Sequence, residues 1–203
     1  DTLLQTSYTQ HKVKPNPPAK QATFLRRVYL NIIGRIPSYE EADAYLTSKH
    51  RSKRSRLIDR LLANDSFAYY QGLRMADLMR VNPEILTDGR AHLFADWIAE
   101  SIAANKPFDE MTRVMLTASG DTLEVAPANY FAAITETRQM AEATAQIFMG
   151  SRIQCARCHN HPFENWTQND YYSFGSVFHG LRTEGTSIQL ASNNMMANPR
   201  TGQ

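Results

Sequence analysis

Cysteine is scarce in this chain: Cys155 and Cys158 are the only two in 203 residues. A framework of several disulfides is thereby excluded, and the fold has to rest on an apolar core. An excess of charge of one sign is also missing. Lys and Arg number 22 against 20 Asp and Glu, a net +2 at pH 7, so bulk electrostatics make no case for a nucleic-acid or membrane-surface partner. No apolar run approaches the roughly 20 residues of a membrane-spanning helix. Strand and helix patterns do not alternate, and no internal repeat is visible. No secretory leader opens the chain. It begins at Asp1 rather than Met and stops at Thr201-Gly202-Gln203, so it reads as a piece excised from a longer multidomain protein, in which missing targeting signals carry no weight.

What is present is 42% hydrophobic residues, ordinary for a globular domain and set mostly at helical spacing. Residues 1–19 are polar and end in Pro15, Pro17 and Pro18, which reads as a linker or extended arm. Residues 20–203 read as a single helical domain. Phe24, Leu25, Val28, Tyr29, Ile32 and Ile33 form one apolar stripe, stopped by Gly34 and Pro37. Ser38 and Glu41 make a capping box for the next helix. The basic run 51–56 leads into Leu57, Ile58, Leu61 and Leu62 and reads as a solvated helix face rather than an anion site. A helix over 66–80 carries Phe67, Tyr70, Leu73, Met75, Leu78 and Met79 towards the core; 81–89 is a loop. Further helices carry Leu93 to Ile102 and Met111 to Leu116, 120–127 is irregular, and 131–150 is helical up to Gly150. Thr167 and Asp170 cap a last helix with an aromatic face. Ser187-Ile-Gln-Leu-Ala alternates weakly and can form one strand of a small β-ribbon near the C-terminus. The expected fold is all-α, with seven or eight short helices suited to burying a flat cofactor.

The stretch around which these helices are arranged is Cys155-Ala-Arg-Cys158-His159-Asn-His161-Pro-Phe163. Cys-x-x-Cys-His is the attachment pattern of c-type haem. Two thiols one helical turn apart can add to the two vinyl groups of a porphyrin, and the histidine after the second can offer a ring nitrogen to iron as the proximal ligand. Three other readings stay open at this point. A redox dithiol of the thioredoxin kind belongs in a βαβ setting. Zinc held by Cys155, Cys158, His159 and His161 would crowd four ligands into seven residues, where structural sites take two separated pairs. A disulfide across Cys-x-x-Cys closes a very small loop.

Several stretches together resemble the planctomycete-type cytochrome c-like domain, a family of exported multidomain proteins first catalogued as a domain of unknown function. They are Phe24-Leu-Arg-Arg-Val-Tyr-Leu-Asn-Ile-Ile-Gly-Arg-Ile-Pro37, Lys53-Arg-Ser-Arg-Leu-Ile-Asp-Arg-Leu-Leu62, Ala95-Asp-Trp-Ile98 and Asn105-Lys-Pro-Phe-Asp109. The strongest is Ala141-Glu-Ala-Thr-Ala-Gln-Ile-Phe-Met-Gly150, continuing through the cysteine motif to Trp166-Thr-Gln-Asn-Asp-Tyr-Tyr172, and Asn198-Pro-Arg-Thr-Gly202 is similar to a segment leading towards a second domain. The resemblance implies one covalently attached haem c and an electron-transfer module rather than an enzyme, with no catalytic residue assigned and a redox partner protein or fused domain as its counterpart. It also implies export, since haem c is attached on the outer, periplasmic side of the bacterial inner membrane.

On that reading Cys155 and Cys158 form thioethers and His159 ligates iron. His161 is expected to hydrogen-bond a propionate or a backbone carbonyl. Trp166, Tyr171 and Tyr172 can pack on the haem edge, and Arg157 can pair with a propionate. The sixth iron ligand is left open among Met195, Met196, Met149, His92 and His179. An open sixth position would instead suit a haem-dependent oxidoreductase or a gas- or peroxide-reactive site, and a structural zinc or disulfide domain is the alternative of another class.

Overall fold

The structure is a computed structural model, and it describes residues 2–190 and 195–202. The described chain is mostly α-helical, with one three-stranded antiparallel sheet. It divides into two compact units, residues 1–67 and 68–203.

The first unit begins with α1 (Thr2–Gln10), in the stretch read above as a linker or arm; none of its residues is buried. Its core is made by α2 (Gln21–Ile33), α3 (Tyr39–Thr47) and α4 (Lys53–Leu62), which bury Leu25, Tyr29, Ile33, Tyr45, Leu57 and Leu61. Gly34 ends α2 in the left-handed conformation (φ 75°), which costs glycine no Cβ clash. The Ser38–Glu41 capping box is formed. Within the basic run Arg51 and Arg56 are exposed, as a solvated face requires, whereas Lys53 and Arg54 are half-buried. The Lys53 ammonium lies 4.8 Å from the centre of the Tyr45 ring, and the Arg54 guanidinium 4.6 Å from that of Phe24, so long stems cover aromatic faces.

Glu41 receives both arms of the Arg35 guanidinium at 2.8 Å and the Ser38 amide at 2.7 Å. The Arg35 hydrogen bonds, ahead of all else, hold its carboxyl down at about 2. A depressed folded-state pKa gives stability that is present above the ordinary value near 4.5 and is lost as pH falls towards about 2. Thermal unfolding between pH 5 and pH 2 should show a smaller acid loss in Glu41→Gln than in the parent; equal losses would remove Glu41 from the acid limb.

The second unit is organised on α5 (Asp65–Leu78), whose first residues close the first unit, and α7 (Asp88–Ala103). Of the large residues that periodicity assigns inward, Met79 is buried and Met75 packs against the core, but small residues share that face. Gly72, Ala76 and Met79 point in, while Leu73 and Leu78 are exposed, Leu78 by 62%. Close approach to α7 is the reason: a Cβ on Gly72 would sit 2.8 Å from the Cβ of Ala99. Gly72→Ala should therefore cost about 1–3 kcal/mol by overpacking, in place of the roughly 1 kcal/mol gained at an open helical site. Urea unfolding checks the sign.

Between α5 and α7, the expected loop carries a short helix, α6 (Pro83–Leu86), with Asn82 accepting from the Glu84 amide and Pro at its first position. After α8 (Phe108–Leu116), the single helix expected over 131–150 is two. Asn129–Ala133 (α9) ends at Ile134 in extended conformation, and Thr137–Phe148 (α10) restarts under a cap from Glu136 to the Gln139 amide. Fully buried Asn129 ties α9 down through bonds to the carbonyls of Thr122 and Ala126 and from Arg90.

The last helix, α11 (Gln168–His179), starts on the expected Thr167–Asp170 box. The ribbon after it is a sheet of order β1-β3-β2. β2 (Leu181–Glu184) pairs with β3 (Ser187–Leu190), and β3 pairs in turn with β1 (Gly120–Asp121), from the stretch read as irregular. Residue 191, included in the expected strand, lies outside the described residues. Eleven α-helices are thus present among the described residues, against seven or eight expected. The additions α1, α6 and α9 are 9, 4 and 5 residues long, and α6 and α9 are too short to show a hydrophobic period. No described helix is long and apolar enough to cross a membrane.

Candidate functional site

The cysteine motif leaves α10 through Gly150 and folds into a 3-10 turn, Gln154–Arg157, with Cys158 as its C-terminal cap. The turn is anchored from below. Ile153 and Ala156 are fully buried and belong to a small core with Ala145 of α10 and Tyr171 and Tyr172 of α11; Trp166, Phe174 and Met196 pack against it. Tyr171 and Tyr172 meet edge to face at 5.2 Å, as do Trp166 and Phe174 at 5.9 Å. The Arg157 carbonyl accepts from the Gln168 amide group at 3.1 Å and the Tyr172 hydroxyl at 3.3 Å, and Asn160 Oδ1 accepts from the Gln168 backbone N–H at 3.0 Å. Helix α11 therefore grips the motif at two points, the Arg157 carbonyl and the Asn160 side chain.

The side chains that carry chemistry point the other way. Cys155 and Cys158 are both exposed and both free. His159 is exposed, and its Nδ1 lies 2.7 Å from the Asn160 carbonyl oxygen. A carbonyl can only accept, so Nδ1 carries the proton and Nε2 keeps its lone pair, the arrangement found in metal-ligating imidazoles. His161 is opposite in sense. Its Nδ1 accepts from the backbone N–H groups of Phe163 and Glu164 at 3.2 and 3.0 Å, and the His161 backbone N–H donates to the Trp166 carbonyl. Its ring thus holds the turn through 163 and 164 by accepting two amides at Nδ1. Phe163, the last residue of the motif, is 93% exposed.

The remaining residues singled out by sequence scatter. Trp166 is half-buried beside the motif, and Tyr171 is fully buried with its hydroxyl donating to Glu142 at 2.8 Å. Burial first, then Glu142, pushes its phenol well above the ordinary tyrosine value. Arg157 is exposed. Of the five sixth-ligand candidates, Met196 packs on the small core below the turn, its sulfur against Gly175 of α11 and its N–H donating to Ser176 Oγ. His179, at the end of α11, lines with Met196 and Tyr172 a cavity of about 470 Å³ that does not include the cysteines or His159 in its lining. Met195 and Met149 are exposed. His92 sits on α7 at a different cavity, with Leu73, Arg74 and Asp77. Residues 192–194 of the methionine-bearing stretch lie outside the described residues.

Among the described residues, no three or more His, Cys, Asp or Glu side chains converge as a metal-binding group. Asn160, Gln168 and Glu142 were not singled out by sequence. The only signal for the first two was the Thr167–Asp170 box, which places the first turn of α11 directly after the motif.

Neither a curated protein nor a solved structure matches the chain. The family model PSCyt2, described as a protein of unknown function (DUF1549), matches residues 1–183, which takes in both the helices of the first unit and the whole cysteine motif. The chain belongs to the PSCyt2 family, a planctomycete-associated family of unknown function.

Proposed function

We propose that the chain is a haem c-binding electron-transfer module of an exported, periplasmic protein, with Cys155 and Cys158 as the thioether residues and His159 as the proximal ligand. The observation that carries this reading is the form of the donor set. Two free, exposed thiols sit on one anchored turn, and the next side chain has its Nδ1 proton committed to Asn160 and its Nε2 lone pair available. When bound, a haem supplies a one-electron iron couple, with its potential set by ligands and surroundings. The chain's own part is to hold that donor set still. Tyr172 and Gln168 fix the Arg157 carbonyl, Ile153 and Ala156 fill the core beneath, and His161 stiffens the following turn. Exposure of the motif suits outer-sphere exchange with a protein partner or fused domain. The sixth position stays open among Met195, Met196, Met149, His92 and His179, since Met196 packs on the core beneath the turn while the donor set faces away from it.

The test is an absorption spectrum, oxidised and reduced, of protein made in a host that attaches haem c. A Soret band with a sharp low-spin reduced spectrum supports the electron carrier. A high-spin spectrum that shifts with carbon monoxide moves the assignment to an open-site oxidoreductase or sensor, and no Soret band leaves a surface dithiol. His159→Ala should lose the low-spin spectrum while keeping covalent haem; an unchanged spectrum would remove His159 from the iron.

A further inference from the structure

The near-neutral total hides an asymmetry. Residues 1–67 hold twelve Lys and Arg against six Asp and Glu, a net +6, whereas residues 68–203 hold ten against fourteen, a net −4. In the first unit, part of the positive charge gathers at a cavity of about 420 Å³ lined by residues of α3, α4 and the turn between them, among them Tyr45, His50, Lys53, Arg56, Leu57 and Arg60. That volume lies within the roughly 300–1,000 Å³ of small-molecule sites.

Two of the cations there are held in place without being neutralised. Lys53 Nζ donates to the carbonyls of Tyr45 and Ser48, at 3.2 and 3.1 Å, and Arg60 Nη2 donates to the Tyr29 hydroxyl at 3.1 Å. These partners are uncharged, so they set the positions of the two cations and leave their charge unspent. Arg56 makes no side-chain hydrogen bond or ion pair among the described residues. His50 Nδ1 accepts from the Ser52 N–H at 3.1 Å, which leaves the proton of the neutral ring on Nε2 as a donor. Ser52 gives α4 no side-chain cap, so its first turn also keeps amides without a side-chain partner. Lys53, Arg56 and Arg60 stand three and four residues apart on one helix, where like charges repel, and Asp59 of the same helix is not part of the cavity lining. An arrangement of this kind is relieved by a counter-anion carrying more than one charge, and planar guanidinium forks fit paired phosphoryl oxygens.

We propose that the cavity between α3 and α4 binds the phosphoryl group of a small molecule or headgroup. The test is calorimetric titration of the full chain with pyrophosphate, repeated with Arg56→Gln and with the control Arg26→Gln/Arg27→Gln, which removes exposed charge from α2 outside the cavity lining. Arg56 has no partner to lose, so its replacement should leave the fold intact and weaken binding about tenfold, with the control unchanged. Co-sedimentation with phosphatidylglycerol vesicles identifies the source. Arg56-dependent capture by vesicles assigns the group to a lipid, and binding of pyrophosphate without vesicle capture assigns it to a soluble compound. No binding to either probe, or an equal loss in the control, would overturn the proposal.

Discussion

Cys155→Ala/Cys158→Ala, made in a host that attaches haem c, is expected to fold normally and to carry no covalent haem. The two halves of that outcome rest on different observations. The fold should survive because both thiols are exposed and unbonded, and substitutions at such positions usually change stability by no more than about 0.5 kcal/mol. The turn is held by contacts that alanine does not touch, namely the Ala156 N–H to the Ile153 carbonyl at 2.9 Å and the two bonds to the Arg157 carbonyl. Covalent haem should vanish because no other cysteine exists in the chain. Haem staining of a denaturing gel and intact mass read the result directly. Each single replacement should keep one thioether and therefore some stain. Haem that stays with the double variant through denaturation would refute the thioether assignment. A parent chain without haem from the same host would refute the functional reading as a whole, and leave the anchored turn as a dithiol.

What could be read from sequence was local. Both capping boxes, Ser38–Glu41 and Thr167–Asp170, form as their spacing requires, since each bond spans three residues and needs nothing from the rest of the fold. The motif's composition was equally plain, but its orientation was not. That the cysteines face out while Ile153 and Ala156 face in depends on Tyr171 and Tyr172, some 15 residues further on. Non-local pairings defeated the reading elsewhere. Gly120 and Asp121 carry no strand signal, and they are a strand only because Ile188 and Ser187 lie opposite. The break between α9 and α10 has neither Gly nor Pro to announce it; Glu136, an uncommon capping residue, makes the restart. The inward stripe of α5 was legible in part: Met75 and Met79 go to the core as periodicity requires, but Leu73 and Leu78 are exposed, and at the close approach to Ala99 the face carries Gly72, which no hydrophobic period announces. In the basic run 51–56 the expected exposure holds for Arg51 and Arg56, while the stems of Lys53 and Arg54 pack on Tyr45 and Phe24, partners that charge alone does not reveal.

Tyr171→Ala should be the most damaging single change beneath the motif, at a cost of about 3–5 kcal/mol, the range for emptying a buried aromatic site. Tyr171 is fully buried, and it lies in the one small core that holds both Ile153 and Ala156. Its loss opens a cavity directly under the turn, so the Cys155–His159 segment loses its anchor along with the stability. Tyr171→Phe separates the ring from the hydroxyl. The ring stays, only the 2.8 Å bond to half-buried Glu142 goes, and the expected cost is about 1 kcal/mol. The hydroxyl has its own signature in pH. Burial, reinforced by Glu142, raises the Tyr171 pKa above its unfolded value, and burial pushes Tyr130 up to about 12. Groups with raised folded-state pKa values keep their proton where the unfolded chain gives it up. Their contribution is therefore complete below pH about 10 and is lost as pH rises beyond it. Urea unfolding at neutral pH should rank parent, Tyr171→Phe and Tyr171→Ala in that order, and between pH 9 and 12 the stability of Tyr171→Phe should fall less steeply than that of the parent. A Tyr171→Ala protein as stable as the parent would mean that the turn is anchored by something other than the core described, and the exposed placement of Cys155 and Cys158 would then have to be explained without it.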